Sequence, residues 1–260
     1  MTDLTSLIAL LQFADGLFPS GGFAHSFGLE TYAQEGKIRD AAGLSEFVST
    51  HLEGSAGPAD AVAAALAARA GQARDLDACI ELDRGLDAMK TVPEFRAASR
   101  QMGRQTARAA AATALGRARA TAGDASATAG GAGPGAGQRE ATLDGEAFAE
   151  RLAAAIDDEL TPGHHAVVFG AVTGRHGASP EVAAAAFLQS TAALLVGAGL
   201  RLLPIGQLDG QRVLASMRES IARLARRAAA AGADDMWSFT PGLEIAGVRH
   251  ADLEGRLFRS

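Results

Sequence analysis

The stretch Ser179-Pro180-Glu181-Val182 and onward, SPEVAAAAFLQSTAALLVGAGL over residues 179–200, decides how this sequence folds. Ser179 suits an N-cap, Pro180 the first helical position, and Glu181 the positive end of the helix macrodipole. Four consecutive alanines follow, and alanine loses no side-chain entropy on entering a helix. The pattern predicts a helix over 180–201. Gln189, Ser190 and Thr191 interrupt its apolar run, which is shorter than the ~18 uninterrupted apolar residues of a membrane span, so it reads as a buried core helix.

The rest of the chain repeats this theme. Alanine supplies 60 of 260 residues, against 11 Phe, one Tyr and one Trp. Strands favour β-branched and aromatic residues, so the composition points away from an all-β fold. With 48% apolar residues and a net charge of -6, the chain is neither disordered nor attracted as a whole to nucleic acid or an anionic membrane. The single cysteine, Cys79, excludes an internal disulfide framework and any multi-cysteine metal site. Met1 to Leu11 carries Asp3 and no basic residue, unlike the start of a signal peptide, so a cytoplasmic protein is expected.

Helical spacing of apolar residues places a first helix up to about Asp15, a second over Phe23 to Glu35, and a third through Leu44, Phe47, Val48 and Leu52, closed by Gly54 to Pro58. Ala59 to Ala70 and Leu76 to Met89 read as an antiparallel pair joined near Gly71. A central helix starts close to Pro93 and runs to about Ala120. Residues 121–140, rich in Gly and Ala, read as a flexible loop within one domain. Helices resume over Asp144 to Glu159, His165 to Arg175 and Asp209 to Ala231, before a tail from Met236. The expectation is an all-α, single-domain bundle over 1–260, of about ten helices, with a C-terminal tail at 243–260. The alanine-rich runs are expected to be linking helices in which any good helix former would serve.

No catalytic constellation emerges. The turn Pro19-Ser20-Gly21-Gly22 lacks the Gly-Lys-Ser/Thr of a phosphate loop. The six histidines include no i, i+4 pair. His164 and His165 point about 100° apart on a helix, so one is expected to cap or pack and the other to be solvated. No Gly-x-Ser-x-Gly elbow is present, and the acids around Cys79 disfavour a thiolate. Arg96, Arg100, Arg104 and Arg108 form a helix ridge, either solvated or facing acidic groups of this chain or of another protein. The end of the chain sets Leu257 and Phe258 between Arg256 and Arg259. Arginine beside large apolar anchors is the composition of interface cores, although a tail docked on its own domain is equally consistent with it.

Several blocks, in order, carry a resemblance. Leu10-Leu11-Gln12 through Phe18-Pro19-Ser20-Gly21-Gly22-Phe23-Ala24-His25-Ser26-Phe27-Gly28-Leu29-Glu30 resembles the N-terminal signature of the UreF family of urease accessory proteins. Glu94-Phe95-Arg96-Ala97-Ala98-Ser99 with Gly103-Arg104 is similar to that family's central helix. His165 to Gly170, Arg201-Leu202-Leu203-Pro204-Ile205-Gly206-Gln207 and Gly210-Gln211-Arg212 are similar to its late helices. Leu243-Glu244-Ile245-Ala246, Arg249-His250 and Arg256-Leu257-Phe258-Arg259-Ser260 are similar to its C-terminal tail.

The resemblance implies an all-helical scaffold, not an enzyme. Such a protein binds UreD (also called UreH), recruits the GTPase UreG and docks on apo-urease for nickel insertion, with a homodimer providing the UreG platform. An activator or fidelity check of the UreG GTPase is the alternative role. No catalytic, cofactor or metal residue is expected on this chain, since nickel and GTP are handled by its partners. The expected partner-binding residues are Phe23 and His25 at the turn, then Arg249, His250, Arg256, Leu257, Phe258 and Arg259, with Leu257 and Phe258 as apolar anchors and Arg256 as the charged hot spot. Phe23 stands where some members carry tyrosine, so no role needing a phenolic hydroxyl is carried over.

Overall fold

The computed structural model describes residues 4–127 and 136–260, with side chains for 4–113 and 147–260. Among the described residues it is all-α, without a strand. In chain order the α-helices are α1 (Leu4–Ala14), α2 (Leu29–Gln34), α3 (Ala41–His51), α4 (Val62–Ala73), α5 (Leu76–Met89), α6 (Pro93–Ala127), α7 (Ala136–Asp157), α8 (His165–Arg175), α9 (Pro180–Leu202), α10 (Gln207–Ser216), α11 (Arg218–Ala230) and α12 (Pro241–His250).

The helix that opened the reading is α9. Ser179 caps it, its hydroxyl accepting from Val182 N–H at 3.3 Å. It is the one described helix long and apolar enough to cross a membrane, yet it packs against α4, α8, α10 and α11. Leu188, Ala192 and Leu195 join Leu29, Leu44, Val48 and Leu224 in one apolar cluster. Phe187 faces a second, built on Phe148, Leu152, Val168 and Phe169. Each fully buried Leu or Phe contributes roughly 1.5–3 kcal/mol relative to an exposed one.

Between the clusters α4 lies against α8 at very short range, and glycines make this possible. A Cβ on Gly170 would overlap the backbone of Ala64, one on Gly174 that of Ala68, and one on Gly71 that of Ala171. Ala63, Ala64, Ala67 and Ala68 are fully buried in this seam. Here the expectation of interchangeable helix formers is corrected: a larger side chain at Ala64 or Ala68 has nowhere to go. Gly71 is an interior packing residue, and the α4–α5 joint is at Arg74, in the left-handed region at φ 61°.

Residues 54–58 do not close a helix either. The chain passes from α3 to α4 through a π-helical segment, Leu52–Ala61, that contains Pro58. The wider turn accommodates the ring and frees carbonyls from the ladder. Gly54 O accepts from Phe239 N–H at 2.8 Å and Pro58 O from Trp237 N–H at 3.3 Å, so an extended segment satisfies what the turn releases.

Three more differences follow from local chemistry. The helix expected over 209–231 breaks at Met217, where Ser216 Oγ donates to Val213 O at 2.8 Å and competes with the backbone ladder. The tail contains a helix, α12, begun by Pro241 at its first position. Around the expected loop, α6 continues to Ala127 and α7 begins at Ala136; residues 128–135 of that loop lie outside the described residues.

Candidate functional site

The tail after α12 folds back over the turn that precedes α2. Gly21 (φ 79°) and Gly28 (φ 88°) bracket this turn in left-handed conformations, and Phe27 joins them at φ 49°. The backbones pair: Arg259 N–H donates to Ala24 O at 2.8 Å, and Ser260 O accepts from Ser26 N–H at 2.6 Å and Phe27 N–H at 3.1 Å. Ser26 Oγ adds a bond to the same oxygen at 2.8 Å, and His25 Nδ1 meets Ser260 Oγ at 2.9 Å.

Glu30, 1% exposed, is the centre of the dock. Its carboxylate accepts from Leu257 N–H at 2.7 Å and Phe258 N–H at 3.0 Å, and pairs with His250 Nε2 at 2.9 Å. The other nitrogen of His250 meets Glu94 Oε2 at 2.7 Å, and Glu94 Oε1 accepts from Arg256 Nη1 at 3.0 Å. Burial alone would raise the Glu30 carboxyl, but the bonds from Leu257, His250 and Phe258 hold it below the usual carboxylate range. Phe258, 4% exposed, enters the first apolar cluster with the Arg201 guanidinium 4.3 Å from its ring centroid. Arg201 also donates to Phe23 O at 2.7 Å, joining helix, turn and tail.

The eight expected residues therefore share one region but face two ways. His25, His250 and Phe258 point inward and anchor the tail on its own domain. Phe23 (77% exposed), Leu257 (52%), Arg249, Arg256 and Arg259 point outward, with Ile245 and Val248 on the outer side of α12. Arg249 pairs with Glu35 at 3.3 Å. Exposed apolar side chains thus stand beside exposed arginines along α12 and the tail, with Phe23 exposed at the turn. Glu30, Glu94 and Arg201, which hold the tail in place, were not among the expected residues. Their only signal was that each stands at an edge of a recognisable block.

Several other buried polar groups form internal networks. The expectation that one of His164 and His165 caps or packs while the other is solvated is corrected in part: neither is exposed, and His165 is half-buried. His164 is fully buried between Ser99 Oγ (3.0 Å) and Asp87 Oδ1 (2.8 Å), while the ring of His165 packs on Phe169 and Phe187. Asp83 accepts from Thr161 Oγ1, Gly163 N–H and His164 N–H, satisfying donors at the start of α8. Ser99, His164 and Asp87 have the residue types of a hydrolytic triad. Ser99, however, is buried inside α6, where its backbone N–H belongs to the helix ladder and offers no oxyanion hole, and Asp87 is bound by Arg100 at 2.6 Å. Arg108 pairs with Asp157 at 2.9 Å, so Arg100 and Arg108 of the basic ridge meet acids of this same chain. Burial, with Asp75 and Asp83 adding to it, pushes the Cys79 thiol up to about 12. Among the described residues no group of three His, Cys, Asp or Glu could hold a metal ion.

Histidines buried or half-buried in the fold make stability pH-dependent. Burial lowers His25, His51 and His165 to about 4 from an ordinary 6.5. Below pH 6.5 the unfolded chain takes up protons that the folded chain refuses until about pH 4, so stability falls across that window. His51 and His165 each account for on the order of 2 kcal/mol of this loss. Thermal melts are expected to be level above pH 7 and to drop steadily from pH 6.5 to 5. A level profile across that window would contradict the burial of these rings.

Comparison with known proteins fits this arrangement of blocks. The UreF family profile matches residues 38–218. The chain belongs to the UreF family. A urease accessory protein UreF from Rhizobium leguminosarum bv. viciae is 34% identical, over 99% of this chain and 98% of its own length. One from Rhizobium leguminosarum bv. trifolii (strain WSM2304) is 35% identical over 99% and 98%. One from Bacillus sp. (strain TB-90) is 29% identical over 99% and 100%. The similarity to UreF proteins thus extends through the turn and the tail, beyond the span of the family profile, and the chain is a UreF-family urease accessory protein.

Proposed function

We propose that this UreF-family protein is a non-catalytic cytoplasmic scaffold that binds UreD (UreH), recruits the GTPase UreG and, as a homodimer within the complex, supports nickel insertion into apo-urease. Nickel and GTP remain with its partners. The observation that carries this reading is the docked tail: its backbone and inward side chains fix it to the domain, while Leu257, Phe23, Ile245 and Val248 stay exposed among Arg249, Arg256 and Arg259. Apolar anchors beside arginines suit a protein partner of complementary acidic and apolar character, and such anchors carry most interface energy. Arg256 is set for this role, because Glu94 orients its guanidinium at the surface.

Co-purification tests the reading. The intact chain is expected to retain UreD, and UreG through that complex. Arg256→Ala is expected to weaken retention of UreD by about tenfold or more, the loss of one hot spot, while the free protein keeps its helicity. Full retention by Arg256→Ala and by a chain shortened from Val248 onward would overturn it. GTP turnover by UreG unchanged on adding this chain separates the scaffold from an activator of the GTPase.

A further inference from the structure

Behind Phe27 lies a cavity of about 70 Å³ between the π-helical segment, α6, α8 and α9. A second, of about 50 Å³, shares His51, Lys90 and Phe95 with it. One water needs roughly 10–15 Å³ measured this way, so the larger cavity has room for about five waters or a guest of that size. His51, Asp60, Lys90, His165, Ser190 and Thr191 are among its polar lining residues.

Most of the lining surface is apolar, and the polar groups set into it carry no net charge. Asp60 and Lys90 neutralise each other at 2.7 Å, both largely buried. His51 and His165 are neutral, because burial keeps both at about 4. A neutral imidazole offers one donor and one acceptor. Buried His51 Nδ1 has no protein hydrogen-bond partner among the described residues, so its partner must come from water or a guest. Thr191 Oγ1 donates to Phe187 O at 2.9 Å, which leaves its lone pairs free to accept.

The wall is held under strain. Phe27 occupies the left-handed region, unusual for an aromatic residue, and its ring stands 6.0 Å from that of His51 and 5.5 Å from that of Phe95. Such conformations persist only where the surroundings over-determine them, and they gather at ligand-holding sites. The π-helical segment, a feature often found at functional sites, places His51, at its start, and Asp60 on the same cavity.

We propose that this cavity binds a small uncharged guest of the primary-amide class, which donates and accepts hydrogen bonds at once, with His51 as its main partner. A charged guest would enter without a counter-ion, since the two charges that line the site among the described residues already satisfy each other. A purely apolar guest would leave His51 Nδ1 unpaired. The inference is independent of the assembly role.

Acetamide, acetate and methylammonium, similar in size and different in charge, test it in NMR titrations of the full chain, read at the imidazole resonances of His51 and His165. Acetamide is expected to give saturable shifts, with acetate and methylammonium weaker by about tenfold or more. His51→Phe is expected to weaken acetamide at least about fivefold. Thr191→Val, away from the helix junction, is expected to weaken it in the same direction if His51→Phe fails to fold. Acetate or methylammonium binding as tightly as acetamide would overturn the proposal. So would the absence of saturable shifts with all three at the highest soluble concentration, or unaltered acetamide binding in the folded variants.

Discussion

Glu30→Gln is expected to release the C-terminal tail while leaving the helical core folded. Three donors converge on this buried carboxylate: the Leu257 and Phe258 amides and His250 Nε2. Glutamine brings one acceptor and an NH₂ group that must face a donor. Unpaired buried donors lose about 1–3 kcal/mol each, so the docked state weakens by about 3 kcal/mol. The tail is held at the rim of the domain, and such elements open locally without global unfolding. Amide exchange at Leu257 and Phe258 should therefore accelerate by about a hundredfold, since each 1.4 kcal/mol is a factor of ten. The amides of α4 and α8 should keep their protection. Unchanged exchange at Leu257 and Phe258 would show that Glu30 does not hold the tail.

Gly170→Ala is expected to be among the most damaging substitutions of a single methyl group. The new Cβ would overlap the carbonyl of Ala64, which is backbone in the first turn of α4 and cannot rotate away. Overpacking usually destabilises by 1–3 kcal/mol; against rigid backbone the expected loss is about 3 kcal/mol or more. Gly85→Ala supplies the opposite sign. Gly85 lies on the exposed side of α5, and nothing stands within 4 Å of its Cβ position. There alanine should stabilise by about 0.5–1 kcal/mol. Chemical denaturation of both variants checks the pair. A Gly170→Ala protein as stable as Gly85→Ala would contradict the α4–α8 seam.

Local chemistry was legible in the sequence. The Ser179-Pro180-Glu181 start of α9 carries its own cap, and α9 is helical and buried as its composition predicts. The helical class follows from the same propensities. What stayed hidden depends on partners remote in sequence. Gly170 and Ala64 are ordinary residues until two helices meet. The π-helical turn around Pro58 survives because Trp237 and Phe239 reach its carbonyls. At the candidate site, the apolar and arginine residues of the tail stand out in the sequence. The inward turn of His25, His250 and Phe258 does not, because Glu30 and Leu257 are 227 residues apart in the chain. The recognisable blocks prove to be neighbours in space: Glu30, Glu94, Arg201 and Phe258 come from four of them and build one dock.

The most direct test of the proposed scaffold role is nickel content in reconstituted urease. Apo-urease, UreD, UreG, GTP, bicarbonate and nickel are combined with the intact chain, with Arg256→Ala, or with no addition. The account predicts nickel-loaded, active urease with the intact chain and little loading in the other two mixtures. Equal loading without the chain would contradict it.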